Sequence, residues 1–169
     1  MSLDQGGLAT AFETVLTMPT ISATLTGADM ALRWANAFDS YATGAVDGLG
    51  NSVASGTNKA GFQSALEAAF SDPSTSCIPA ITTAINTYWG SGILAVLSLP
   101  PGGVAPITNV VSGTPGSVSF DTGLKTSVSA GASAIAGGVH TKATAVTTLF
   151  NYMKAGSPPT PDVYNSTLQ

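Results

Sequence analysis

Residues 61–97 read GFQSALEAAFSDPSTSCIPAITTAINTYWGSGILAVL, two apolar helical runs on either side of an Asp-Pro break. The first half sets Phe62, Ala65, Leu66, Ala69 and Phe70 at the i, i+3, i+4, i+7, i+8 spacing of one helical face. Asp72–Pro73 interrupts that face and offers a new start, since Asp caps a helix and proline fits a first turn that lacks amide partners. Ile78, Ile81, Ile85, Tyr88 and Trp89 then resume the helical period, which ends near Gly90 or runs on through Ile93 and Leu97. With Asn58 as the first cap, residues 58–97 are predicted to form an αα-hairpin.

The same plan extends upstream. Leu8, Ala11, Phe12, Val15 and Leu16 make one helical face that ends at Met18–Pro19. Thr26 and Asp29 have the spacing of a capping box. The helix they open carries Met30, Trp34, Ala37, Phe38, Tyr41 and Ala45 on one face, with Arg33, Asn36, Asp39 and Ser40 on the other. Residues 7–46 therefore read as a first hairpin, followed by a Gly-rich turn over 47–56.

Downstream, residues 98–121 are crowded with proline and glycine and read as an extended arm in which a short β-hairpin fits, with β-like runs at 107–111 and 117–120. Asp121 or Thr122 opens a third pair over 122–154. Leu124, Val128, Ala132 and Ile135 give a first face, Gly137–Gly138 a break, and Val139, Ala143, Val146, Phe150 and Met153 a second face. Residues 155–169 read as a Pro-rich tail. Three starts align at Gly7, Gly61 and Gly123, and 27 residues beyond each lies an aromatic: Trp34, Tyr88 and Phe150. The expected fold class is mainly α: a single domain of about six helices, as up to three stacked αα-hairpins in a bundle.

Composition narrows the function. Charged residues are 8% of the chain, against about 25% in ordinary soluble domains, so charge gives little protection against association. The five basic residues are scattered and the net charge is −4, which argues against nucleic acid as a partner. The longest apolar-leaning run, 78–99, is broken by Thr and Ser, and no membrane span is expected. The N-terminus shows no signal-peptide pattern.

Chemistry is sparse. His140 is the sole histidine and Cys77 the sole cysteine, which leaves no internal disulfide and no metal-ligand spacing. The nucleophile-elbow, phosphate-loop and dinucleotide-loop motifs are absent, and Asp39, Asp47, Asp72 and Asp121 stand beside helix ends as caps. No catalytic residue, metal or cofactor is therefore expected. Trp34 and Tyr88 read as core anchors, and Trp89 and Tyr164 as contact residues, because Trp and Tyr are enriched at interface hot spots.

A low-charge, Gly/Ala/Ser/Thr-rich chain with helical hairpins, a Pro/Gly arm and a Pro-rich tail resembles the minor virion structural proteins of tailed bacteriophages. That resemblance implies a non-enzymatic subunit of the head surface, neck, tail or baseplate, located in the virion and in the host cytoplasm during assembly. Its partners would be copies of itself and other structural proteins of the particle. The arm (Pro100, Pro101) and tail (Pro158) would reach neighbouring subunits. An alternative is a secreted helical-hairpin adaptor similar to the WxG family, suggested by Tyr88-Trp89-Gly90, although here Trp and Gly are adjacent and the chain is longer. A third reading is a small hydrolase pairing Cys77 with His140.

Overall fold

The computed structural model describes residues 3–17, 25–54, 58–71, 77–92, 94–95, 98–111 and 126–169. Within them lie α1 (Gln5–Leu16), α2 (Gly27–Ala42), β1 (Ser52–Val53), α3 (Lys59–Ser71), α4 (Cys77–Gly90), β2 (Leu94–Ala95), β3 (Gly103–Val111), α5 (Val128–Ala143), β4 (Thr147–Lys154) and β5 (Thr160–Thr167).

Helices α1 to α4 lie within the segments expected to be helical, α1 touching α2 and α3 touching α4, while α1 packs chiefly on α5 and α2 chiefly on α3. Local chemistry sets their ends. Asp4 caps α1 by accepting from Gly7 N at 2.9 Å. Thr26 and Asp29 make the full capping box: Thr26 Oγ1 accepts from Asp29 N, and Asp29 Oδ2 accepts from Thr26 N at 3.0 Å. The Asp72–Pro73 break and the caps expected at Asp121 or Thr122 lie outside the described residues.

The mainly α expectation is corrected. Among the described residues there are five helices and two antiparallel sheets, an α+β fold. The third hairpin fails at both of its predicted landmarks. Helix α5 starts from Ser127, whose side chain accepts from Ala130 N, and it runs unbroken through Gly137–Gly138. The segment expected as its partner helix is strand β4. The spacing of Val139, Ala143, Val146 and Phe150 imitates a helical face but spans a helix end, a turn and a strand. Within 147–154 the true period is two: Thr148, Phe150 and Tyr152 point inward and are buried, while the residues between them are not.

β4 is the centre of a three-stranded sheet ordered β3-β4-β5, antiparallel throughout. The arm thus contributes an edge strand, and the Pro-rich tail folds back as the other. Proline placement agrees with this order. Pro106 lies in β3 and Pro161 in β5, whereas β4 has none, because a central strand needs every ladder amide and an edge strand does not. The sheet joins the helical core at one end, through Val111, Val146 and Leu168, which share a buried cluster with α1–α5 residues such as Phe12, Phe38 and Trp89. The chain's last residues are pinned there: Gln169 and Val46 exchange two backbone hydrogen bonds, and Leu168 N donates to Val146 O.

Candidate interaction surfaces

The interior polar groups are tied to one another. Asp39, expected on the outer face of α2, is buried, and Tyr88 Oη donates to its Oδ1 at 2.7 Å. Lys59 Nζ stands 3.9 Å from Asp39 Oδ2. Burial, the hydrogen bond to Asp39 and that carboxylate's charge, in that order, push the Tyr88 hydroxyl well above the usual tyrosine range. Tyr41 is raised by burial, and its hydroxyl lies 2.9 Å from His140 Nδ1. The lone histidine therefore links α5 to α2. Cys77 opens α4, and its side chain lies outside the described part of the structure.

A second knot holds the turn over 47–51. Asp47 Oδ1 accepts from Leu49 N and Asn51 N, and its Oδ2 accepts from Asn51 Nδ2 at 3.0 Å. Asn51, fully buried, also donates to Ser98 O and accepts from Ser98 N. Asp47 is thus a cap of a turn instead of a helix end. Gly50 takes a φ of 84°, the left-handed region that favours glycine. Gly48 lies under Tyr164, whose hydroxyl would stand 2.5 Å from an added Cβ. This turn and the segment around Pro100 cover the inner face of the sheet.

Two surfaces stand out among the described residues. One is a groove between α1 and α2, made of adjoining depressions of about 320 and 400 Å³ that share Ala11, Ala37 and Ser40. Its walls are small or apolar, and its two charged residues are Asp4, already capping α1, and Arg33 at the far end. That lining holds no His or Cys to act as a base or nucleophile. Among the described residues no three His, Cys, Asp or Glu side chains gather as a metal site.

The other surface is the outer face of the β3-β4-β5 sheet. The register places Val110 opposite Leu149 and Asn151 opposite Val163. Thr108 shares this face, because Asn151 Nδ2 donates to its Oγ1 at 2.6 Å. Val163 is 50% exposed and Val110 37%. Val104 and Ile107, at the two register shifts of β3, are 55% and 49% exposed. An antiparallel sheet commonly packs one face on the core and turns the other to solvent, and here the outward face carries exposed valines.

The expected contact residues fall in different settings. Trp89 is fully buried among Phe38 and Tyr88, and its Nε1 has no hydrogen-bond partner among the described residues. Its contribution is ring area in the core, and the Tyr88-Trp89-Gly90 motif does not present the indole to solvent. Tyr164 is half-buried on the inner sheet face, beside Gly48. Pro100 is buried; Pro101 and Pro158 are exposed, the latter after a cis peptide bond. Trp34 and Tyr88 are core residues, as expected. Sequence reading missed Val110, Leu149, Met153 and Val163, although the alternation in TTLFNYMK and DVYNST was available to find them.

No family model matches the chain, and neither a curated protein nor a solved structure matches it. No helix among the described residues is long and apolar enough to cross a membrane.

Proposed function

We propose that the chain is a non-enzymatic structural subunit of a multi-subunit assembly, of the kind found in tailed bacteriophage virions. The observation that carries this reading is the exposure of Val110 and Val163 on the outer face of the three-stranded sheet, in a chain only 8% charged. A protein that stays alone in solution ordinarily covers such a face or studs it with charge. Here the interior polar groups named above are spent on holding elements together: Tyr88 on Asp39, Tyr41 on His140, Asn51 on Asp47 and Ser98. The virion assignment rests on the overall character of the sequence.

The test is compositional and structural. Purified particles should contain the chain in a fixed ratio to the other structural proteins, and electron microscopy should place the sheet against a neighbouring subunit. Particles that lack the chain, together with a purified protein that binds nothing at high concentration, would overturn the reading.

A further inference from the structure

Resting on that assembly reading, we infer that β5 with Leu168 is the internal occupant of a strand-binding cleft, and that the cleft takes an extended segment of a neighbouring subunit when β5 lifts away. The cleft is the β5-side edge of β4, with a slot at its end. β4 offers eight consecutive register positions, Thr147 to Lys154, with no proline and no register shift. Its inward side chains are fixed in place: Thr148 and Phe150 are fully buried and Tyr152 nearly so. The slot lies where Val146 meets the helical core. Leu168 fills it at 2% exposure, and its N–H donates to Val146 O.

β5 is held as a bound peptide is held. None of its eight residues is buried, whereas β4 buries Thr148, Phe150 and Tyr152. In strand addition the main-chain ladder supplies affinity and alternate side chains supply specificity. Here Tyr164 lies over Gly48, Ser166 Oγ accepts from Gly48 N at 3.0 Å and stands 3.0 Å from Thr148 Oγ1, and Leu168 enters the slot. That spacing of two defines the ligand: an extended segment reading aromatic-x-Ser-x-Leu, without charge across the motif. Lifting β5 removes one residue, Leu168, from the core and leaves the helices packed on one another.

Two features limit the cleft to one strand and keep it closed in the free chain. A seated β5 ends the sheet: Val163 N donates to Asp162 Oδ1 at 2.9 Å and Pro161 has no amide, so the first half of its outer edge lacks free donors. The short loop over 155–159, exposed throughout, tethers β5 at an effective concentration of roughly millimolar or above. A segment in trans therefore competes only when an assembly holds it equally close.

Hydrogen exchange and peptide binding on the full chain test this. The amides of Asp162, Tyr164 and Ser166 alternate with that of Val163 and so face β4. In wild type they should exchange together, through an opening less dependent on denaturant than that of the α2 and α4 amides. Leu168→Ala should speed all three by roughly thirtyfold or more. It should also let a labelled peptide of residues 160–169 bind saturably, while the same peptide carrying Leu168→Ala does not. Ser166→Ala, a milder change, should speed the same amides about tenfold, which keeps the test open if Leu168→Ala fails to fold. Exchange of these amides only with global unfolding, acceleration confined to Ser166, or no peptide binding by either variant overturns the inference. The two readings fail separately. Particles in which every copy keeps β5 on its own β4 refute strand exchange and leave the assembly role standing. A chain that binds the peptide but occurs in no particle overturns the assembly role and leaves the cleft.

Discussion

Tyr88 and Asp39 show how one buried polar contact organises this fold. Their 2.7 Å hydrogen bond joins α4 to α2 inside a ring cluster where Phe38 lies 4.9 Å from Tyr88 and 4.8 Å from Phe62. Removing the hydroxyl leaves the ring in place and strips a buried carboxylate of one donor. Tyr88→Phe should therefore destabilise by about 1–3 kcal/mol in urea unfolding. An unchanged midpoint would mean that water or another group replaces the donor freely. The same contact makes stability pH-dependent at the alkaline end. Tyr88 and Tyr41 ionise near 10 when unfolded and only well above it when folded. Their contribution is present below about pH 10 and is lost as pH rises beyond it, because the unfolded state releases protons first. Tyrosinate absorbance should show these two of the four tyrosines titrating together with loss of helical circular dichroism. Ionisation of Tyr88 near pH 10 with the fold intact would contradict its buried placement.

At the level of elements, a local end signal can be legible where a short apolar period is ambiguous. The Thr26–Asp29 box was legible because capping is local chemistry, complete within four residues. Thr26→Ala should cost about 1 kcal/mol, measured by thermal unfolding at neutral pH, and Thr26→Ser should recover most of it. Equal losses for both would show that the cap is not what Thr26 supplies. The segment 147–154 was misread because Val146, Phe150 and Met153 satisfy a helical spacing while Thr148, Phe150 and Tyr152 satisfy a strand. Short apolar runs fit both periods, and partners distant in sequence decide between them. For β4 those partners are β3 and β5, which lie in the arm and tail that composition alone marks as irregular.

For the molecule as a whole, the decisive contact is the return of the C-terminus. Leu168 is 2% exposed and shares the core with helices formed more than a hundred residues earlier. Leu168→Ala should cost about 2–5 kcal/mol by chemical denaturation, as for a truncated core leucine. A near-zero effect would mean that the chain end is not part of the cooperative unit.

Helices α1 to α4, their aromatic anchors Trp34 and Tyr88, and the scarcity of charge follow from local sequence, since helical faces, caps and composition are written within a few turns of chain. Tertiary structure decided that Phe150, which matches those anchors in spacing, sits on a strand, that the tail is an edge, and that Val110 and Val163 stand exposed on one sheet face. A strand acquires its partners and its exposed side only when distant segments meet, and no local pattern encodes which face will find a cover.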